Sequence, residues 1–374
     1  MNKKKTYQKA KPLQYTEIIS PKDKPSFYNV PDSTASNLVL DVLGAGVDIA
    51  DLPARKHQIN HNTHYEVLED GNKRLVTLKN NTETAEVTIE LADIEQLTGS
   101  NKPAKKLFVL SLIKANEQAI HNGQLSQDYI SFPLQELIDI GFYKTPQSAR
   151  KGFKSGADIL TSFKIKGKIK KSKKSSSTIE SLEVPFTGAK IQKGQCFIYF
   201  NPRISWGFFA QYFTILPRYY FRLPNRASDL LYYIFFLARQ NTKEIAERGY
   251  FTIGFRAIQH RLQLPSEIGN KDPQRTIKQP IEEAIEQLEQ EHNSLYGNTD
   301  FALLPVCDDN APIAEYLDNG YLKVSLTGAF AQTFIQISQD TSKQIEKAEK
   351  RKARITEKAI AIKTARAMKE TTAQ

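Results

Sequence analysis

Residues 145–160 read TPQSARKGFKSGADIL, and residues 272–292 read DPQRTIKQPIEEAIEQLEQEH. Each stretch begins with a residue that favours a helix N-cap, Thr145 or Asp272, followed by a proline suited to the first helical position. Laid over each other, the two stretches also share a glutamine, a lysine and an alanine at matching places. We therefore predict two related helices whose outer faces carry Gln, Arg and Lys side chains.

The segments around these helices follow the same order. Upstream of the first, KKLFVLSLIKANEQAI (105–120) predicts an apolar helix, and YISFPLQELIDIGF (129–142) predicts a short strand entering a helix. Upstream of the second, RASDLLYYIFFLARQN (226–241), FTI (251–253) and GFRAIQHRLQL (254–264) predict helix, strand and helix. A pair of strand-like segments follows each of the two related helices. This order predicts an α+β fold with two tandem winged-helix domains, against the alternative of two unrelated helical modules.

Composition and turn signals divide the 374-residue chain into five parts. We predict a flexible basic arm at 1–35, a small β-rich segment at 36–103, a first winged-helix domain at 104–210, a second at 211–330, and a basic C-terminal helical tail at 331–374. In the β-rich segment, Asp70-Gly71 lies between two alternating runs and predicts a hairpin. Within the second of the two related helices, Pro280 should kink or split the helix.

The formal net charge of +11 is concentrated in three blocks. Residues 144–193 carry +10, residues 1–24 carry +5 and residues 343–369 carry +7, so the rest of the chain carries −11. Such blocks favour a polyanionic partner, with nucleic acid first and an anionic membrane surface second. A solvated surface that only serves solubility explains three separate blocks less well.

A helix fits the DNA major groove, where Arg, Lys, Gln and Asn side chains can bond base edges while nearby lysines neutralise phosphates. SFKIKGKIKKSKKSSSTIESLEVPF (162–186) and QCFIYF (195–200) alternate apolar with polar residues, and we predict that they form a basic wing beside the first helix. The candidate DNA-binding residues are Gln147, Ser148, Arg150, Lys151, Lys154, Lys164, Lys166, Lys168, Lys170, Lys171, Lys173, Lys174, Arg256, Arg261, Gln274, Arg275, Thr276, Lys278 and Gln279.

Catalytic and metal-binding patterns are weak in this sequence. His57, His61 and His64 lie close together, but the Asn- and Thr-rich stretch around them favours a polar loop over a metal site. Cys196 and Cys307 lie in apolar settings and are expected to be free buried thiols. The chain lacks a P-loop motif and any apolar run long enough to cross a membrane. We expect a binding protein that needs no cofactor, is not an enzyme and works in the bacterial cytoplasm.

The strings at 105–118, 130–165, 229–241 and 251–262 resemble those of the theta-type plasmid replication initiators, the Rep family with tandem winged-helix domains. The resemblance covers about residues 104–330 and contains no catalytic motif. It implies binding to repeated sites at a replication origin, with the second domain as the main reader and the first supporting dimerisation and an additional DNA contact. It also implies recruitment of host replication proteins without ATP hydrolysis.

The sequence thus predicts a sequence-specific double-stranded DNA-binding protein that initiates replication at a plasmid or mobile-element origin. Its expected partners are the origin repeats, host replication proteins and a second copy of the chain, with no membrane. A winged-helix transcriptional repressor is the alternative within the same class. A DNA-processing enzyme, either a primase or a nuclease, is the alternative from another class.

Overall fold

The structure is a computed structural model that describes residues 27–32, 40, 56–58, 63–70, 73–80, 85–91, 101–122, 129–162, 164–172, 175–183, 186–201, 212–262, 264–265, 267, 270–296, 300–308, 310–328, 330–332 and 334–336. Between 56 and 91 and between 164 and 183 the description covers the backbone only. The strands are β1 (Phe27–Asp32), β2 (Lys56–Gln58), β3 (Thr63–Asp70), β4 (Lys73–Asn80), β5 (Ala85–Leu91), β6 (Tyr129–Pro133), β7 (Lys164–Ser172), β8 (Ser175–Glu183), β9 (Phe186–Gln192), β10 (Gln195–Phe200), β11 (Tyr212–Pro217), β12 (Tyr250–Gly254), β13 (Phe301–Val306) and β14 (Tyr321–Leu326). The helices are α1 (Asn101–Asn122), α2 (Glu136–Asp139), α3 (Pro146–Ser162), α4 (Asn225–Gln240), α5 (Thr242–Arg248), α6 (Phe255–Arg261), α7 (Gln279–Tyr296) and α8 (Ile313–Asn319).

Two units with the same order of elements make up the mixed helix and sheet fold. The first unit contains α1, β6, α2, α3, β9 and β10, and the second contains α4, β12, α6, α7, β13 and β14. In both units the last strand lies between the other two, giving the antiparallel orders β6-β10-β9 and β12-β14-β13. The second unit adds α5 after its first helix and α8 between its last two strands. The predicted repetition of element order is therefore confirmed.

The core begins at α1, where every residue from 104 to 113 is buried. A helix that is buried on all sides must pack against several elements at once, and α3 lies against it with Phe153 and Leu160 facing inward. In the second unit, Phe235 of α4 packs against Phe301 and Phe334, with ring centroids 6.0 and 5.4 Å apart. Buried residues of both units belong to one continuous apolar core.

The lysine-rich strand β7 forms a hairpin with β8, as predicted, but this hairpin is not the wing of the first unit. β7 pairs along its other edge with β5, so that six antiparallel strands run in the order β2-β3-β4-β5-β7-β8. The small β-rich segment and the lysine hairpin therefore share one sheet, across the predicted boundary at residue 103. The hairpin that completes the three-stranded sheet of the first unit is β9–β10, with its turn at Lys193-Gly194.

The predicted flexible arm is wrong for residues 27–32, which form β1. This strand pairs antiparallel with β11, from Phe27 opposite Pro217 to Asp32 opposite Tyr212. Val30 is fully buried, and the Phe27 ring packs edge-on against Phe330 at 5.1 Å. Local composition could not predict this strand, because its partner lies far away in the chain. Residues 1–26 and 337–374 of the predicted arms lie outside the described residues.

The second of the two related helices contains one wide turn where the sequence predicted a kink. Residues Gln274–Lys278 form a π-helical turn that runs directly into α7, whose second residue is Pro280. Proline has no N–H to donate, and a π turn is one way for a helix to absorb that lost bond. The helix is therefore distorted at the predicted place and continues to Tyr296.

Candidate nucleic-acid interface

The start of α3 is fixed by a reciprocal cap. The Thr145 hydroxyl oxygen accepts a hydrogen bond from the backbone N–H of Ser148 at 3.1 Å, and the Ser148 hydroxyl accepts one from the backbone N–H of Thr145 at 3.1 Å. Pro146 occupies the first helical position, where no N–H is needed. The predicted N-cap is confirmed. Because the Ser148 hydroxyl also donates to the Thr145 carbonyl, this candidate DNA-binding side chain is engaged in the cap.

The two faces of α3 differ sharply. Its inner face buries apolar and small side chains (Ala149, Phe153, Ala157 and Leu160). Its outer face exposes Gln147, Arg150, Lys151 and Lys154. These four occupy positions i, i+3, i+4 and i+7, which lie along one side of a helix. The structure therefore brings four of the predicted residues together as one exposed stripe, which we call the α3 stripe.

Two glycines let α3 lie close to its neighbours. A Cβ atom on Gly152 would collide with the ring of Tyr143, and one on Gly156 would lie 3.2 Å from the Pro103 carbonyl carbon of α1. The Tyr143 ring in turn stacks on Phe142, with centroids 4.4 Å apart. The inner side of α3 is thus held by close packing on both α1 and the preceding turn. This packing fixes which side of the helix faces outward.

The corresponding face of the second unit is less basic. The Asp272 carboxylate caps the helix by accepting from the Arg275 N–H at 3.2 Å, and Gln274, Arg275 and Gln279 are exposed. Thr276 donates its hydroxyl to the Asp272 carbonyl at 2.7 Å. The outer side of α7 beyond the first turn carries acids, among them Glu283. The second unit therefore presents one arginine at the helix start where α3 presents three cationic side chains.

Three of the four cationic residues predicted for the second unit have partners within the protein. Lys278 is 13% exposed, with its ammonium 3.8 Å from Glu282 and 5.2 Å from the centre of the Tyr316 ring. The Arg256 guanidinium bonds both Glu267, at 2.7 Å, and Asp318. This fork ties α6 to the loop before α7 and to α8.

Arg261 lies over the rings of Tyr232 and Tyr233, in each case 5.7 Å from the ring centroid. A DNA contact by Arg256, Arg261 or Lys278 stays a prediction, because each side chain would have to leave or share these partners. The spacing of Lys278 and Glu282 could have been read from the sequence, but the partners of Arg256 and Arg261 could not, because they lie on other elements.

The backbone register places acidic residues beside the lysines of β7. Lys164 lies opposite Glu90, and Lys168 lies opposite Glu86. Oppositely charged residues at facing positions of an antiparallel pair attract one another. Lys166 lies between them opposite Thr88, while Lys170 and Lys171 occupy the end of β7 toward the turn. Lys173 and Lys174 fall outside the described residues.

The β9–β10 hairpin supplies basic residues that are not among the candidate DNA-binding residues. Lys193 and Gly194 form its turn, both with positive φ (50° and 77°), as a tight two-residue hairpin turn requires. Lys190 lies over the rings of Phe197 and Tyr199, 5.4 and 5.6 Å from their centroids. In the sequence, the Lys193-Gly194 pair lies between two alternating runs, a pattern that indicates a hairpin turn. The longer lysine run nearby made this signal hard to recognise.

The candidate reactive groups of the chain are its two cysteines and the clustered histidines. Neither Cys196 nor Cys307 forms a disulfide; Cys196 is buried as predicted, whereas Cys307 is only partly buried. Burial raises the pKa of the Cys196 thiol to about 12. The described strands put His57 opposite Tyr65 and His64 opposite Gln58, so these two histidines are not on a helix. In the parts of the chain that are described, no three His, Cys, Asp or Glu side chains converge on a point that could hold a metal ion.

Among the described helices, none is both long and apolar enough to span a lipid bilayer.

No protein-family model matches the sequence, and no curated protein matches it either. The fold is similar to a crystal structure of RctB domains 2-3, with 8% identity and a TM-score of 0.38, over 77% of this chain and 99% of that one. A selenomethionine structure of RctB domains 2 and 3 aligns with 8% identity and a TM-score of 0.35, over 76% and 98%.

Proposed function

We propose that the chain is a sequence-specific double-stranded DNA-binding protein in which each unit is a winged helix. The order helix, strand, two helices and two strands, with the last strand in the middle of the sheet, supports that fold in both units. In such a fold α3 and α7 are the helices that enter the major groove, and the β9–β10 and β13–β14 hairpins are the wings.

The observation that carries the proposal is the α3 stripe. An exposed row of one Gln, one Arg and two Lys side chains stands on a helix whose other side is locked into the core. Arginine and glutamine can each form two hydrogen bonds with a purine edge, and lysines neutralise phosphates. A fixed backbone with this chemistry suits recognition of base pairs, because the side chains need little further ordering on binding.

The biological role that we propose is initiation of replication at repeated sites on a plasmid or mobile element, acting in the bacterial cytoplasm. The sequence strings that resemble the Rep initiators support this role, as does the tandem arrangement of two candidate DNA-reading units. Host replication proteins and a second copy of the chain are further partners in this proposal.

Footprinting across the replicon that encodes the protein tests the role. We expect protection of repeated sequences beside the origin. Protection confined to a promoter would instead support the repressor, whose DNA-binding fold would be the same. Absence of any protected sequence would remove the proposal of sequence-specific binding altogether.

We further propose that this chain binds DNA without processing it. Incubation of the purified protein with duplex and single-stranded DNA, divalent metal ions and nucleotides should leave the strands intact and yield no primers. Metal-dependent strand cleavage or primer synthesis that is lost in a His57→Ala, His64→Ala variant would support the enzyme alternative.

A further inference from the structure

Two adjacent lysines of α1 lie inside the protein where the two units meet. Lys105 and Lys106 are only 8% and 6% exposed. Lysine is almost never buried to this degree unless its ammonium group has partners, because removal from water is costly. Both lysines therefore mark a junction whose polar partners matter.

The partners of both ammonium groups lie in the connection to the second unit or in that unit. Lys106 Nζ donates to the carbonyl of Phe221 at 3.0 Å and to the carbonyl of Leu223. Lys105 forms an ion pair with Asp229 of α4 at 2.6 Å. Phe221 ends a short 3-10 turn (Arg218–Phe221), so Lys106 satisfies carbonyls at the end of that turn.

Packing around the lysines reinforces the junction. The Phe142 ring lies 5.7 Å from the Lys106 ammonium and 5.9 Å from the Phe221 ring. Gly141 adopts a left-handed φ of 78°, and a Cβ there would collide with the Arg222 side chain. The turn that leads into α3 is therefore in direct contact with the residues that lead into α4.

These contacts link the two candidate DNA-reading helices through a short series of buried groups. On one side, α3 approaches α1 closely at Gly156, next to Ala104. On the other, the 3-10 turn that accepts from Lys106 also carries Tyr219, whose hydroxyl lies 3.2 Å from Nδ1 of His292 on α7. Every contact in this series joins well-buried groups, so a movement of α3 relative to α7 must break at least one of these contacts.

We propose that Lys105, Lys106 and Asp229 fix the distance and orientation between α3 and α7, and thereby restrict the protein to DNA sites with one separation between two half-sites. These three are positioning residues, and the inference rests on the proposed DNA-binding function. Half-site separation matters because about five extra base pairs turn one half-site to the opposite side of the duplex. Burial lowers the pKa of Lys106 to about 8, with the Asp229 carboxylate opposing the shift, so the ammonium form is retained at neutral pH.

Selection from a library of randomised duplexes at neutral pH tests the inference with the full-length chain. We expect the wild-type protein to enrich two half-sites at one separation, with affinity about tenfold weaker when base pairs are added between them, similar to the effect of a mismatched base pair. Lys106→Met removes the ammonium but keeps a long apolar side chain. It should enrich the same half-sites at several separations.

Matched variants separate positioning from general damage to the fold. Lys243→Met removes a lysine that is 86% exposed and should leave the selection unchanged. Asp229→Asn disturbs the junction more mildly than Lys106→Met and should relax the separation even if Lys106→Met unfolds. Lys105→Asp combined with Asp229→Lys reverses the ion pair and should restore part of the preference for one separation, which a merely destabilised protein would not do.

The results distinguish failure of this inference from failure of the proposed function. If the wild-type chain enriches no sequence, DNA recognition itself is contradicted. The positioning role is overturned if the wild-type chain enriches paired half-sites at one separation and the folded junction variants keep that separation. It is also overturned if the wild-type chain enriches only isolated half-sites. In both cases DNA binding stands.

Discussion

At the scale of single residues, the fold depends on a few side chains in unusual surroundings. Gly152 is required because the Tyr143 ring occupies the space where a Cβ would lie. His292 is fully buried among aromatic rings, which include Tyr296 and Phe301 at centroid distances of 5.4 and 5.0 Å. Gly152 lies on α3 and His292 on α7, where both are packed against other elements, so their substitution is expected to act on stability first.

Gly152→Ala should destabilise the protein. The added methyl group forces the Tyr143 ring away from α3, and overpacking of this kind costs about 1–3 kcal/mol, more than the roughly 1 kcal/mol that alanine gains over glycine in a helix. Gly188→Ala is the control, because a Cβ there meets only the Tyr199 ring, at an ordinary contact distance of 3.8 Å. Urea unfolding that shows equal stability for both variants would contradict the packing described for α3.

His292 should make the stability depend on pH in the acid range. Burial lowers the pKa of its imidazole from 6.5 to about 4, so the unfolded chain binds more protons between these values. The contribution is complete above pH 6.5 and is lost as the pH falls through 4, with an amplitude of at most about 3 kcal/mol.

His292→Phe should flatten this part of the stability curve while removing the hydrogen-bond partner of the Tyr219 hydroxyl. Chemical denaturation of both proteins across the range measures the difference. An equally steep curve for the variant would show that other groups produce the acid sensitivity.

At the scale of secondary-structure elements, the two candidate DNA-reading helices, α3 and α7, have different electrostatics. The α3 stripe carries three cationic side chains, whereas the exposed start of the other helix carries Arg275 followed by acids such as Glu283. Phosphate neutralisation is thus expected mainly from the first unit, and base selection can come from both. The resemblance to the Rep initiators implies that the second domain is the main reader of DNA. The charge distribution instead favours a larger share of DNA binding for the first domain.

Substitutions in the two helices should therefore have different effects on DNA binding. Arg150→Ala with Lys151→Ala should weaken binding, lose the base contacts of Arg150 and lower the salt dependence by about one phosphate contact of Lys151, whereas Arg275→Ala should mainly reduce discrimination between sequences. Binding isotherms at several salt concentrations, on specific and unrelated duplexes, measure both effects. Lys243→Ala on α5 serves as the control, and an unchanged salt dependence in the double variant would exclude the α3 stripe from the interface.

The helices could be predicted from sequence because their signals are local. N-caps at Thr145 and Asp272, a proline at the next position and apolar periodicity all lie within each helix. The partner of β7 could not be predicted, because its pairing with β5 joins segments far apart in the chain and the same alternation suits many partners. Lys106 was also hidden, since a lysine in an apolar run is ordinarily assumed to reach solvent.

At the scale of the whole molecule, one basic central block and two basic segments near the chain ends carry +22 together, and the rest of the chain carries −11, which gives the net charge of +11. The central block is distributed over α3, β7 and the β9–β10 hairpin, so its positive charge spans two sheets. The end segments, residues 1–24 and 343–369, lie outside the described residues. Their charge is expected to act as a sequence-independent attraction for the DNA backbone.

Removal of residues 1–24 tests this expectation without disturbing β1, which begins at Phe27. The shortened chain loses a net charge of +5 and should bind all duplexes more weakly with a smaller salt dependence. Its preferred sequence should stay the same, because α3 and α7, the candidate DNA-reading helices, are intact. A changed sequence preference would instead assign base contacts to this arm.

Dimethyl sulfate protection on a duplex selected by the protein tests the central claim most directly. This reagent methylates guanine N7, which lies in the major groove. With α3 and α7 in successive major grooves, we predict two protected clusters of guanines about one helical turn apart, and loss of the cluster that belongs to α3 in the Arg150→Ala, Lys151→Ala variant. Tight binding with every N7 still reactive would contradict the account, because the helices would then lie outside the major groove.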